Sequence, residues 1–403
     1  MPGMKFIDFL ICLTLLCSCN SVDNNKFSLL SSDLTGVNFV NEVEEKNDQH
    51  ILIHNYIYNG AGVGISDFNN DGLADIFFAG NLVDNQLYIN EGDFKFANTS
   101  EESAIFARNK WCSGVNILDI NDDGWLDIYL TATYHQLDSL RENILYINQG
   151  VNDNGIPIFK DESKMYQLND AGYSTHSMAF DYDLDGDLDL YLVNNKLDVA
   201  KTSQLRRKLR RGDSPSNDKL LRNDNGVFTD VTKEANILDW GFGLGVAIID
   251  VNQDNYPDIY ISNDFVTNDL LYVNQRDGTF INDISRYINH QSFSSMGNDI
   301  ADINNDGLDD IFTLDMLPRR DERLKMMFGG LNHHYYDIML DKGYDLEYAR
   351  NTFQLNQGNG HFSDIGLITD LFNTDWSWSV LMQDLNNDGN KDIFISNGFP
   401  RDI

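Results

Sequence analysis

The chain has 403 residues and a net charge of −34, with 63 Asp and Glu set against 29 Lys and Arg. That balance argues against a nucleic-acid or anionic-membrane surface, while 42% hydrophobic and 12% aromatic residues exclude the aromatic-poor composition of a disordered chain. Six prolines and 30 glycines rule out collagenous or Pro-rich architecture, and no apolar run beyond the N-terminus approaches the roughly 20 residues of a membrane span.

The first element is an address. Lys5 precedes an apolar stretch from Phe6 to Leu16 that ends in Leu16-Cys17-Ser18-Cys19, which reads as a signal peptide over residues 1–19 rather than a transmembrane helix. It resembles the bacterial lipobox, and the resemblance implies that Cys19 becomes the lipidated first residue of the mature chain. The expected location is therefore the bacterial cell envelope, as an outer-membrane lipoprotein facing the periplasm or the cell surface. Residues 20–26 read as a short polar tether. Cys12 and Cys17 leave with the signal, Cys112 alone remains in the folded part, and no internal disulfide can form.

From residue 67 onward one nine-residue element recurs six times at intervals of 52 to 82 residues. It reads Asp67-Phe-Asn69-Asn-Asp71-Gly72-Leu73-Ala-Asp75, then Asp119-Ile-Asn121-Asp-Asp123-Gly124-Trp125-Leu-Asp127, then Asp181-Tyr-Asp183-Leu-Asp185-Gly186-Asp187-Leu-Asp189. The later copies are Asp250-Val-Asn252-Gln-Asp254-Asn255-Tyr256-Pro-Asp258, Asp302-Ile-Asn304-Asn-Asp306-Gly307-Leu308-Asp-Asp310 and Asp384-Leu-Asn386-Asn-Asp388-Gly389-Asn390-Lys-Asp392. These loops hold 22 of the 63 acidic residues, which explains much of the charge.

The spacing has a chemical reason. Oxygen ligands at positions 1, 3 and 5 of a tight loop converge on one point. A backbone carbonyl at 7 and a carboxylate at 9 complete a hard-cation cage, and position 6 must turn sharply with positive φ. Gly takes position 6 in five copies and Asn255 in the fourth. All-oxygen coordination without Cys or His points to Ca²⁺ rather than Zn²⁺ or Mg²⁺, with up to six structural ions. An EF-hand needs a bidentate Glu at position 12. Here that position holds Phe78, Leu130, Leu192, Ile261, Thr313 and Ile395, so EF-hand and dockerin-type loops are excluded.

Each loop sits in a longer unit. A glycine-containing apolar segment such as Gly62-Val-Gly-Ile-Ser precedes it and a β-branched, aromatic triplet such as Ile128-Tyr-Leu follows. A third strand then reads Asn85-Gln-Leu-Tyr-Ile-Asn90 or Asp269-Leu-Leu-Tyr-Val-Asn274, and a fourth opens with Phe at 94 or 96, 159, 228, 280 and 362. Four strands per unit predict an all-β propeller of six visible blades, or seven if the chain is truncated, over residues 27–403. Insertions interrupt it at about 196–217 and 318–350, the second with helical spacing in Leu324, Met327 and Phe328. Phe27-Ser-Leu-Leu-Ser31 looks like a stray fourth strand, predicted to clasp the last blade.

These residues resemble the FG-GAP/VCBS repeats of the integrin alpha-subunit propeller and of bacterial cell-surface proteins related to cartilage acidic protein. The resemblance implies a calcium-bearing propeller that binds or adheres rather than catalyses, with an extracellular protein or glycan as partner. The alternative is a propeller enzyme acting on a polysaccharide. No H-E-x-x-H, G-x-S-x-G or P-loop supports catalysis, and His333-His334 reads as packing within the insertion. The tryptophans at 111, 125, 240, 376 and 378 read as structural, and Arg206-Arg-Lys-Leu-Arg-Arg211 as a solvated basic run.

Overall fold

The computed structural model describes residues 27–46, 49–107, 109–196, 210–327 and 333–398. The signal, the tether and most of the first insertion, including residues 206–209 of the basic run, lie outside them. Five four-stranded antiparallel sheets follow one another in chain order, each a meander in which every strand pairs with the next. Unit 1 contains β1 (Val63–Ser66), β2 (Asp75–Phe78), β3 (Gln86–Gly92) and β4 (Lys95–Asn98). Unit 2 contains β5 (Trp111–Leu118), β6 (Asp127–Thr133), β7 (Ile144–Val151) and β8 (Pro157–Asp161). Unit 3 contains β9 (Ser174–Phe180), β10 (Asp189–Asn194), β11 (Lys219–Asp224) and β12 (Val227–Asp230). Unit 4 contains β13 (Gly243–Ile249), β14 (Asp258–Asn263), β15 (Leu270–Asn274) and β16 (Phe280–Asn282).

A two-residue strand β17 (Gln291–Ser292) comes before unit 5, which contains β18 (Asn298–Ala301), β19 (Asp310–Thr313), β21 (Thr352–Asn356) and β22 (Phe362–Asp364). Between β19 and β21 the second insertion forms helices at Asp321–Met327 and His333–Lys342, then β20 (Glu347–Tyr348), which pairs in parallel with β17. The helix expected there includes Leu324 and Met327, while Phe328 lies outside the described residues. Unit 6 has only β23 (Ser377–Gln383) and β24 (Asp392–Asn397) among the described residues.

Strand periodicity assigns each side chain to one neighbour. Successive residues point to opposite faces of a sheet, so the residues at positions 10 and 12 of each repeat face the preceding unit and the residue at position 11 faces the next. Ile128 and Leu130 pack with Phe77 and Leu87 of unit 1, whereas Tyr129 packs with Leu190 and Leu192 of unit 3. The same alternation makes five interfacial cores, one between each successive pair of units. At the two ends of the series those faces have no neighbouring unit among the described residues: Val63 and Ile65 of unit 1, and Leu381 and Phe394 of unit 6, are exposed.

The first strands lie side by side in chain order, β1 against β5, β5 against β9, β9 against β13, β13 against β18 and β18 against β23. Glycines make this approach possible. A methyl group on Gly114 would stand 2.9 Å from the His176 Cα, and one on Gly297 2.5 Å from the Trp378 carbonyl oxygen. The glycine-containing segments of the sequence are thus contact points between units.

The N-terminal segment differs from expectation. Residues 27–31 form no strand; they lead into a single helical turn, Ser32–Thr35, that packs on β4 of unit 1. Asn38 and Asn41 then bond to Tyr88 and Asn81, and Phe39 stacks on Phe78 at 4.9 Å. Phe39 covers part of the unit 1 face that a preceding unit would otherwise bury, which favours docking there over a clasp on the last blade. Residues 49–60 next cross toward unit 4: His54 packs edge-on against Trp111, and the Tyr56 hydroxyl donates to Asp264 Oδ2 at 2.8 Å.

Gly297→Ala should force β18 and β23 apart and cost about 1 to 3 kcal/mol as an overpacked contact. Equilibrium denaturation measures it; a change below about 0.5 kcal/mol would show that the strands part without strain.

Candidate metal centres

The six loops share one hydrogen-bond pattern. The backbone N–H of position 5 donates to Oδ1 of position 1 at 2.9 to 3.1 Å, and the N–H of position 6 to Oδ2 of the same carboxylate at 2.7 to 3.0 Å. Position 7 donates its N–H to Oδ1 of position 5 at 2.8 to 3.0 Å. Position 6 has positive φ in every copy, Asn255 at 67° included, as its residue types demanded. Position 4 is left-handed too, at Asn70, Asp122, Asn305 and Asn387, whose types tolerate it, and at Leu184 and Gln253, whose types did not announce it.

Position 9 is the buried member. Asp75, Asp127, Asp189, Asp258 and Asp310 are at most 1% exposed. Each accepts the N–H of position 2 on Oδ2 at 2.9 to 3.1 Å. On Oδ1 each accepts the N–H of an asparagine at or near the end of the third strand, Asn90, Asn148, Asn223, Asn274 or Asn356, at 2.7 to 2.8 Å. Burial pushes Asp75 and Asp127 up to about 6 and Asp189 and Asp258 up to about 7, against the lowering pull of those two N–H groups. These third-strand asparagines carry no ligand chemistry, and only their recurrence in the sequence could have marked them.

In the third loop carboxylate oxygens of Asp181, Asp183 and Asp189 lie within 4.8 Å of one another. Asp183 Oδ1 is buried with no hydrogen-bond partner, and burial, then Asp185 and Asp181, raise its pKa. This oxygen-only set suits a hard divalent cation. The fourth loop differs, because Arg276 forms an ion pair with Asp254 at 2.8 Å and already neutralises its position-5 carboxylate. Loops of neighbouring units touch: Asn70 donates to the Gly124 carbonyl and Asn305 to that of Gly389, both at 3.1 Å.

A cleft of about 590 Å³ lies among the first strands, lined by residues of β1, β5, β9, β13, β23 and β24 and by Tyr56. Its lining contains no Asp, Glu, Lys or Arg among the described residues. Burial lowers His54 to about 4 and lowers His176, so both imidazoles stay neutral near pH 7. Trp111 packs on Tyr134 at 4.9 Å, Trp240 on Phe242 at 5.8 Å, and Trp378 donates its indole N–H to the Gly398 carbonyl at 2.7 Å. Arg210 of the basic run forms an ion pair with the buried Asp239 at 3.0 Å.

A family profile described as FG-GAP-like repeat matches residues 67–130 and 250–313, each stretch running from one loop through the next unit's second strand. Among solved structures the chain is similar to the Vibrio cholerae biofilm matrix protein Bap1, at 15% identity and a TM-score of 0.31, over 60% of this chain and 30% of that one. It is also similar to Trypanosoma rangeli sialidase in complex with sialic acid, at 10% identity and a TM-score of 0.36, over 82% of this chain and 52% of the sialidase. The chain thus spans about a third to a half of the length of these structures. No curated protein sequence matches it.

Asp127→Ala leaves the Ile120 and Asn148 N–H groups buried without an acceptor, at about 1 to 3 kcal/mol for each. Asp392, half-buried and accepting only the Leu385 N–H among the described residues, should cost much less when replaced. Urea denaturation in chelator compares the two variants; equal losses would mean that the third-strand bond contributes nothing.

Proposed function

We propose that this chain, which carries FG-GAP-like repeats, is a calcium-braced β-propeller lipoprotein of the bacterial cell envelope that binds an extracellular protein or glycan without chemically converting it. The propeller reading is supported by four-stranded meanders whose first strands succeed one another around a common cleft. The calcium reading is supported by six loops with the same bonds and oxygen-only side chains, and most directly by the convergent carboxylates of Asp181, Asp183 and Asp189. Asp185 and the position-7 carbonyls of Leu73, Trp125, Asp187, Tyr256, Leu308 and Asn390 would complete such cages.

The observation that carries the non-catalytic reading is the lining of the cleft. A glycosidase of the usual carboxylate-pair kind needs carboxyl groups about 5 to 10 Å apart facing its substrate. Neither the cleft nor the adjoining hollow beside Tyr134 and Tyr173 is lined by a carboxylate among the described residues. An aromatic and polar surface, with Lys196 as the single cation of the hollow among these residues, suits recognition instead.

For a site of extracellular type, with a Kd of about 0.1 mM in roughly 1 mM calcium, each ion stabilises the fold by about 1.4 kcal/mol, and six by on the order of 8 kcal/mol. Chelation should lower the melting temperature of the full chain by many degrees. Asp185→Ala should remove one of the bound ions counted by calorimetric titration. A melting curve unmoved by excess chelator after full exchange would overturn the calcium assignment.

Cys19→Ala should abolish incorporation of labelled fatty acid in a bacterial host and leave an unlipidated or uncleaved precursor. Labelling at the wild-type level would refute the anchor.

A further inference from the structure

The turn between the third and fourth strands of a unit lies over that unit's own loop. In units 1, 2, 4 and 5 the residue two places after the third-strand asparagine donates its N–H to that asparagine's Oδ1, at 2.9 to 3.0 Å. Gly92, Gly150 and Gly358 hold the place in units 1, 2 and 5, each with positive φ. A methyl group on Gly150 would stand 3.4 Å from Trp125, and one on Gly358 3.2 Å from Leu308, so a side chain at this place meets position 7 of the loop. In unit 3 the backbone N–H of Asn225 donates to Asp187, again position 7, at 2.7 Å. Unit 4 has Arg276 here, at a φ of 63°.

A long side chain on a left-handed backbone that three other units give to glycine is costly, and its contacts show what it provides. Arg276 Nε and Nη2 both reach Asp254 Oδ2 at 2.8 Å. The guanidinium also lies 5.8 Å from the centre of the Tyr256 ring, at position 7. In loops 1, 2 and 5 the same oxygen, on Asp71, Asp123 or Asp306, accepts the amide of its own loop's position 3 at 2.9 Å. Those three aspartates are exposed, as are Asp185 and Asp388, whereas the Asp254 side chain is only 9% exposed. The same loop is the one with Asn255 where the others have glycine. A divalent ion entering it would face a fixed positive charge on one of its ligands, and like charges at such range repel. The fourth loop therefore does not fit calcium as the other five do.

We propose that Arg276 stands in for the metal in the fourth loop, which closes without calcium, and that the chain takes up to five structural ions. The inference rests on the calcium reading given above and narrows it from six. The guanidinium fork neutralises Asp254 and holds the turn that the ion fixes in the other loops. Unit 4, where Tyr56 docks on Asp264, thereby keeps its loop formed where calcium is scarce.

The test strips the full chain with chelator and dialyses it to equilibrium against saturating radiolabelled calcium. The wild type should bind no more than five ions. Arg276→Gly, which restores the residue of units 1, 2 and 5, should bind one more, and Asp254→Ala added to it should remove that extra ion. In the wild-type background Asp254→Ala should leave the count unchanged, whereas Asp306→Ala should lower it by one. Six ions on the wild type, equal counts with and without Arg276, or equal effects of Asp254→Ala and Asp306→Ala would overturn the proposal and leave the calcium reading standing. No bound calcium on the wild type would overturn both.

Discussion

Five units of this molecule hang on one buried carboxylate each. The aspartate at position 9 accepts one N–H from its own loop and another from the third strand, so a single side chain fixes the loop's shape and the register of a strand that comes 15 to 46 residues later. Buried N–H groups must be paired, and here one group pairs two at once. That double duty ties a charged surface loop to an apolar sheet. In the first five units the loop and the four-stranded sheet recur together.

Much of this was legible because the loop's chemistry needs fixed residues at fixed spacing. Asp at positions 1, 5 and 9 and Gly at position 6 announced the turns. The β-branched and aromatic triplets after them announced the second strands, all six of which lie where they were expected. The left-handed residue at position 4 was not legible, since Gln253 and Leu184 occupy it without any residue type that demands positive φ. The path of residues 27–31 was misread because Phe27, Leu29 and Leu30 alternate weakly like a strand, yet all three are exposed, and the segment follows the docking of Phe39 and Asn41 instead.

The interfaces between units were legible only in part. Position 11 reads as Phe or Tyr throughout, but no single repeat tells which neighbour that ring meets; the answer follows from the meander and the pleat together. The glycines near the start of the first strands read as strand breakers in isolation. In the folded chain they are the places where one unit's backbone comes within contact of the next, and a side chain there would hold the two apart.

The crossing of residues 49–60 has a mechanical consequence. A meander of sheets loaded from its first strand would peel open one hydrogen bond at a time. Here the chain reaches unit 4 before it enters unit 1, through the Tyr56 hydroxyl on Asp264 and the Tyr56 ring beside Phe265. Tension on the N-terminal end therefore enters at two separated points of the series and must part the half-buried stack of Phe39 on Phe78 and the buried contact of Tyr56 on unit 4 before β1 can be unzipped.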